Sequence, residues 1–556
     1  MEVLRYKCDF LIAGGGIAGL MAAISAGRAG LDVIVAEKAD TRRSGCGANG
    51  NDHFHCYIPQ CHGNDIKRVR REIGGSFDAG PWVDQSMTNI WIDRSFSIIR
   101  MWEEMGINMR PTGEYRFEGH GVPGQQLYNL KFDGKKQKSA LTNEAQANGA
   151  RILNRVVANE LLVNKNRRAV GAICVDINDE EPKLVVIQAK AVLLAMGMAS
   201  RMYPSITPAY MFNTPCCPSV TGCAQAMAYR AGAKLVNMDM LNGHAGPKYF
   251  ARGGKGTWIG ISTDINGNTF TPYGTKPSRE TGDVTADVWP TCYHDRMKDG
   301  KGPTYMDCRP TSPEDLDYML HTAMVSEGID SITDYLEQHN IDLSQEMIEF
   351  GTYPIMMGQR GVQVDEHSRT SVPGLYAAGD CTGNVNGSVS GAAAFGMIAG
   401  EDAAEYVKTV QEEDVSEYPQ IAEKIKLFET LMNRKDGAHW KEALSALQDI
   451  MSEYAGVDQQ NEDMLRAGYT YTLQLKENCL NELSCSNSHE LMRTLEVLDM
   501  IDIAEPIFFC CENRKETRGP HVRSDYRYTN ILLNNKFQTI EKNENGEIFM
   551  DFRMKH

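Results

Sequence analysis

The chain has 556 residues, 42% of them hydrophobic and 23% charged, and a formal net charge of −16. So long a chain outgrows one core and divides into about two to four domains of ordinary globular composition. The acidic balance argues against nucleic acid as a partner, and the absence of an apolar run of about eighteen residues or a secretory leader pattern sets aside membrane insertion and points to the cytoplasm. A small anionic substrate stays compatible with this charge, because a local cluster of Arg and Lys outweighs the overall field.

In chain order, the first element is an apolar strand over residues 10–13, followed by a Gly-rich turn and a helix. Gly14 makes the turn, Gly16 lets backbone approach a pyrophosphate, and Gly19 lets the helix pack closely on the sheet. A second strand over residues 33–36 leads to Glu37, whose carboxylate takes both hydroxyls of a ribose and disfavours a 2′-phosphate. The site therefore reads as FAD or NAD rather than NADP. An amphipathic helix over residues 93–105 places Ile98, Ile99, Met101, Trp102 and Met105 on the sheet. A helix over 140–148 and strands over 151–159, 169–176 and 189–195 follow, the last ending at Met196 and Gly197 and rejoining the nucleotide sheet.

Between residues 238 and 352 the composition shifts to Gly, Asp, Thr, Arg and His with irregular spacing. A segment of that kind between two halves of a nucleotide fold reads as a cap that excludes water above a reactive ring. Residues 372–380 then make a turn and a short strand ending at Gly379 and Asp380. Asp380 suits the ribityl chain or pyrophosphate side of FAD. The small-residue helix over 390–400 would point its positive end at the edge where a reduced flavin becomes anionic. From residue 401 the chain reads as helical, with Ile421, Ile425, Phe428 and Leu431 on one face and Leu444, Leu447 and Ile450 on another, before a turn-rich stretch over 516–526.

The fifteen cysteines are scattered without paired C-x-x-C spacing, which fits a reducing compartment and leaves any iron–sulfur centre to a partner. His53, His55, Cys56, Cys61 and His62 form the densest group of soft ligands. They read as packing or site-lining residues, and no metal site is assigned. The adjacent pairs Cys216-Cys217 and Cys510-Cys511 read as core or strand residues.

The motifs at Gly14 to Glu37, Arg43-Ser44-Gly45, residues 221–233, Val372 to Asp380, residues 395–400 and Glu516 to Tyr526 resemble a known superfamily. It comprises the flavoprotein subunits of succinate dehydrogenase, fumarate reductase, L-aspartate oxidase and dissimilatory adenylylsulfate reductase, and the chain is closest in style to the last. The resemblance implies an α/β fold: a two-dinucleotide-binding-type, Rossmann-like FAD domain (1–237 and 353–405), an inserted α+β capping domain (238–352), and a C-terminal helical domain and tail (406–556). It implies FAD contacts from Lys38, Ser44, Gly45, Val156, Gly197, Ala394 and Phe395 beside the fingerprint residues. Covalent relatives carry Ser-His-Thr where this chain has Ser44-Gly45-Cys46, so non-covalent FAD is expected.

Hydride would pass between flavin N5 and a small anion. Electrons would be exchanged through a ferredoxin-like iron–sulfur partner, within a homo- or hetero-oligomer. His244, Arg279 and Arg360 stand where relatives hold the anion or move the proton, with Lys248 and Arg252 as weaker candidates, and Arg518, His521 and Arg523 match a C-terminal motif that either closes over the substrate or packs. Two family histidines are changed, one to Pro354 and one in the shortened loop near Asn384 and Asn386, so neither succinate nor adenylylsulfate follows. A flavin electron-relay protein within a larger redox complex, or an oxidase reoxidised by oxygen, remains the alternative.

Overall fold

The computed structural model describes residues 1–48, 50–74, 82–119, 126–205, 211, 212, 214, 216–241, 243, 245–248, 257–271, 277–280, 290–326, 329–352, 360–385, 388–456 and 460–556. Its central element is a seven-stranded sheet. Strands β1 (Val3–Ala13) and β2 (Val33–Glu37) are parallel, as the apolar runs predict, and Phe10 to Ala13 and Val33 to Val35 expose no surface. Burial on both faces is what such continuous apolar strands require. A separate two-stranded ribbon pairs β3 (His53–His55) with β4 (Asn129–Lys131).

The main sheet continues with β5 (Arg151–Asn154), β6 (Val156–Val163), β7 (Ala169–Asp176) and β8 (Lys183–Leu194), in the order β5-β2-β1-β8-β7-β6. The strand expected over 151–159 is thus two strands. Arg155 adopts a positive φ of 61°, which breaks the extended run. One residue therefore joins the two edge strands of a single sheet, so the sheet curls back on itself. The first half of β8 pairs antiparallel with β7, while its last residues, Val192 to Leu194, pair in parallel with a later strand.

After the short strand β9 (Leu235–Val236) comes a second, smaller core. Here β10 (Ala245–Pro247), β11 (Ile261–Asp264), β12 (Thr304–Asp307) and β13 (Ile348–Thr352) form an antiparallel sheet in the order β10-β13-β12-β11. Trp258, Tyr293, Met306 and Phe350 fill it. This is the segment whose composition suggested an inserted cap. The chain then returns through β14 (Gly361–Val362) to β15 (Leu375–Ala377), the parallel partner of β8.

The helices that matter for the site are α1 (Ile17–Arg28), α2 (Gln85–Glu104), α3 (Gln137–Ala147), α4 (Cys223–Arg230) and α5 (Val389–Tyr406). α1 and α5 meet backbone to backbone: a Cβ at Gly396 or Gly400 would overlap the carbonyl oxygen of Ala18 or Ala22. Helices α6 (Pro419–Asn433), α7 (Trp440–Tyr454), α8 (Glu462–Glu482) and α9 (Ser488–Asn513) make the C-terminal domain.

Buried ion pairs bind the helical domain to the nucleotide fold. Arg230 meets Glu160, Asp499 and Asp502, and Glu496 meets Lys38, Arg201 and Arg493. Removing one member of such a cluster leaves an uncompensated buried charge, at a cost of about 3–5 kcal/mol. Beyond the turn-rich stretch over 516–526, which the structure shows as turns, bends and isolated bridges, the tail adds two strands that the sequence did not suggest. Its β16 (Lys536–Lys542) and β17 (Ile548–Met554) form a hairpin that completes a sheet in the order β14-β9-β16-β17. Cys510 and Cys511 are core residues of α9 rather than of a strand, and Cys216 and Cys217 lie half-exposed in a loop.

Candidate active site

The C-terminal ends of β1, β8 and β15 bring together three turns. In the first, Gly14 has φ 101°, its N–H donates to the Ala36 carbonyl at 2.8 Å, and a Cβ there would overlap the Ala195 carbonyl. Only glycine fits. Gly16 begins α1 with no side chain capping the helix, so first-turn N–H groups remain for an anion. A Cβ at Gly19 would strike the Gly14 carbonyl and crowd Ile12 of β1 at 3.1 Å, so the helix lies close on the turn as well as on the sheet expected for that position. Glu37, at the end of β2, accepts from Gly15 N–H at 2.7 Å and Ala39 N–H at 2.8 Å, which fixes its carboxylate beside the turn.

The second turn, after β8, carries Gly197 at φ 77°, packed on Val220. In the third, Gly379 has φ 79°, and a Cβ there would touch Ala18 of α1 at 3.2 Å and Ala392 of α5 at 3.8 Å. Asp380 follows it. This carboxyl is partly exposed yet set deep in the protein, and burial pushes its pKa up to about 7. The N-terminus of α5 also lacks a side-chain cap. Ala394 and Phe395 lie fully buried in α5.

The loop after β2 adds the next wall. Ser44 is 9% exposed with its hydroxyl unpaired by protein, as is the buried Thr41 hydroxyl. Gly45 has φ 75°, with nothing within 4 Å of a Cβ built on it. Val156 opens β6 and is 4% exposed. A glycine cradle, an uncapped helix start, a fixed ribose-type carboxylate, orphan hydroxyls and a deep-set, partly exposed aspartate fit an extended dinucleotide such as FAD.

Lys38 goes elsewhere. Its ammonium pairs with Glu496 at 2.6 Å and bonds the Ser219 carbonyl, a link to α9. Lys138 of α3 is the residue that sequence reasoning missed. Only 1% exposed, it donates to the Gly15 carbonyl, and burial pulls its pKa down to about 8 against the attraction of Glu37 and Asp40. In the sequence it is one of three lysines within residues 135–138 and reads as helix surface.

Of the expected catalytic residues that the structure describes, Arg360 is tied by its backbone to this assembly. It precedes Gly361, whose Cβ position is blocked by the Cys381 carbonyl, and Val362 N–H donates to that same carbonyl at 2.9 Å. Arg360 is 2% exposed and donates through Nε to the Met240 carbonyl, and burial lowers its pKa to about 10 despite the nearby Asp239. It stays a cation at neutral pH. Arg279 is held in the cap by Asp315 at 2.5 Å and Glu314 at 3.0 Å, and lies over the Tyr318 ring. Burial opposes its charge, but the Asp315 hydrogen bond and charge outweigh it and raise the pKa. The Arg279 carbonyl accepts from Gly119 N–H at 2.9 Å, so the cap meets the nucleotide fold there. His244, Arg252, Pro354 and Asn386 lie outside the described residues.

The remaining described candidates have partners within the protein. Lys248 sits 3.4 Å from Glu349, and Asn384 donates to Asp84 and to the Val364 carbonyl at 2.9 Å each. His521 is buried against the Arg514 carbonyl at 3.0 Å, Arg518 pairs with Glu516, and Arg523 pairs with Asp525. His55 and His62 are buried among Trp91, Tyr128 and Phe117, and burial takes His62 down to about 4.

Comparison with known proteins adds the following. The family model described as FAD binding domain matches residues 9–52 and 81–395, and that described as fumarate reductase flavoprotein C-term matches residues 444–546. An uncharacterized FAD-dependent oxidoreductase of Methanocaldococcus jannaschii is 25% identical over 577 residues, covering 96% of this chain and 98% of the relative. One of the subunits of fumarate reductase (CoM/CoB) from Methanothermobacter marburgensis is 26% identical, covering 97% and 99%. The solved structure of adenylylsulfate reductase from Archaeoglobus fulgidus superposes with a TM-score of 0.84 at 22% identity, covering 100% of this chain and 97% of that one, a likeness of fold.

Proposed function

The chain belongs to the FAD binding domain family and is an FAD-dependent oxidoreductase, and from that premise we propose that it exchanges a hydride with a small anionic substrate held by Arg360. Bound FAD supplies the hydride chemistry at N5. The Gly14–Gly19 turn and the start of α1 hold the pyrophosphate, and Glu37 the adenosine ribose. Asp380 and Ser44 hold the middle of the cofactor, and the cradle orients it beneath the cap. Gly45 offers no nucleophile where covalent relatives have histidine, so FAD is held non-covalently.

The observation that carries the substrate class is Arg360, a buried guanidinium bonded to the Met240 carbonyl, on a backbone segment whose next two residues, Gly361 and Val362, meet the Cys381 carbonyl beside Asp380. A guanidinium grips a carboxylate, sulfonate or phosphate with two parallel hydrogen bonds, and a desolvated one attracts an anion more strongly than an exposed one. Cap residues around Arg279 exclude water, and His244 supplies or accepts the proton at the substrate. Electrons pass through a ferredoxin-like iron–sulfur partner, a reading supported by relatives that are themselves named as subunits. Titrating the oxidised protein with fumarate, succinate, sulfite and adenylylsulfate tests the anion site through the flavin spectrum. One of these perturbs the wild type and not Arg360→Gln; a spectrum unmoved by all four removes the reading. Rapid oxidation of NADH by the protein alone would remove the iron–sulfur partner.

A further inference from the structure

The glycine turn holds a buried cation that its neighbours only partly neutralise. Lys138 stands in the first turn of α3 beside Gln137, and the two are 1% and 0% exposed. The Gln137 amide donates to the Gly47 carbonyl at 3.1 Å and to Asn51, in the loop after β2. Lys138 reaches the other wall and donates to the Gly15 carbonyl. That carbonyl shares a trans peptide unit with the N–H of Gly16, where α1 begins. Holding and polarising the carbonyl fixes the direction of an N–H at the helix start and makes it a stronger donor. Glu37 holds Gly15 from its other side, through the N–H.

Other buried cations of the fold meet carboxylates: Lys38 and Arg201 pair with Glu496, and Arg514 pairs with Asp239. Lys138 makes no ion pair among the described residues. Glu37 and Asp40 attract it, but the two Glu37 oxygens accept from the N–H groups of Gly15 and Ala39. Helix α1 brings no acidic residue to its first turn, and its Arg28 pairs with Glu144 of α3. An ammonium has three donors, and a buried one resting on a neutral carbonyl favours the arrival of an anion. Since FAD lies across this turn on the reading above, we propose that Lys138 is the counter-cation of its pyrophosphate and aims the Gly16 N–H, so that tight binding of FAD requires this ammonium to be protonated. The bound pyrophosphate stabilises the ammonium, so in the complex Lys138 titrates above the value of about 8 that burial sets. Between the two values binding takes up a proton, and affinity falls as pH rises; below that window the ammonium is already charged and the dependence vanishes.

Diluting the holoprotein at pH 7.5 to 9.5 and reading released FAD by its fluorescence measures the dissociation constant. The wild type is expected to bind roughly 20-fold more weakly at pH 9.5 than at pH 7.5. Lys138→Met is expected to bind at pH 7.5 at least as weakly as the wild type does at pH 9.5, with no further change. Lys138→Arg, charged throughout, is expected to give a flat profile whatever its absolute affinity. A general loosening of the turn weakens binding equally at every pH, so it does not imitate the wild-type slope. A wild-type constant that stays level over this range overturns the proposal, as does the same slope in Lys138→Met, and either result leaves the FAD site itself in place. Protein that holds no flavin at any pH would remove that site and the role of Lys138 with it.

Discussion

Replacing Asp380 by asparagine tests the electrostatics of the cradle. Burial raises this carboxyl from an ordinary 3.8 to about 7. Between those values the folded protein keeps a proton that the unfolded chain releases, so the folded state binds more protons and stability falls as pH rises through the window. About three pH units at 1.4 kcal/mol each set the full cost near 4 kcal/mol, an upper limit because the side chain is partly open to water. The amide of Asp380→Asn carries no charge at any pH, so the variant escapes the cost. From pH 5 to pH 8 the flavin-stripped wild type should lose about 2–3 kcal/mol relative to the variant. At roughly 1–2 °C per kcal/mol in a chain of this length, the gap in melting temperature widens by about 3 °C. Thermal unfolding of both proteins across that range reads it directly. Parallel melting profiles would refute the claim that burial governs Asp380.

The opposite sign is expected at Lys138. Its pKa falls from 10.5 to about 8, so between those values the unfolded chain binds more protons, and the flavin-stripped wild type gains about 3 kcal/mol relative to Lys138→Met as pH rises through the window; an unchanging difference in melting temperature contradicts this. Gly14→Ala forces a Cβ into the Ala195 carbonyl at φ 101°, and is expected to cost about 3 kcal/mol or more and to abolish flavin retention on gel filtration. Gly45→Ala, with open space around φ 75°, should cost only about 1–2 kcal/mol and keep the flavin. Acid precipitation of the holoprotein should leave all flavin in the supernatant; flavin retained in the pellet would show a covalent link.

The fingerprint was legible because every part of it is local. A strand, three glycines and a carboxylate do their work within thirty residues, and β7 runs over the predicted 169–176. The misreadings arise where distance decides. Nothing in residues 151–159 announces that Arg155 turns the chain from one sheet edge to the other. The hairpin of β16 and β17 acquires its role only by pairing with β9, some three hundred residues upstream. Lys138 looks like a surface lysine until α3 is docked against the Gly15 carbonyl. Arg518, His521 and Arg523 carried two readings, closing over the substrate or packing, and their contacts include Glu516, Arg514 and Asp525. A motif records which residues recur and leaves open whether they face a ligand or one another.

Anaerobic mixing of the flavin-reduced protein with candidate anions measures the proposed reaction itself. The account predicts that at least one small carboxylate, sulfur oxyanion or adenylylsulfate reoxidises the flavin with a rate that saturates in anion concentration. Arg360→Gln should lose about 100-fold of that rate, the order expected for removing one charged hydrogen-bond donor from an active site. If no anion reoxidises the flavin faster than buffer, while an iron–sulfur protein does so readily, the chain is an electron relay and the anion site proposed at Arg360 does not exist.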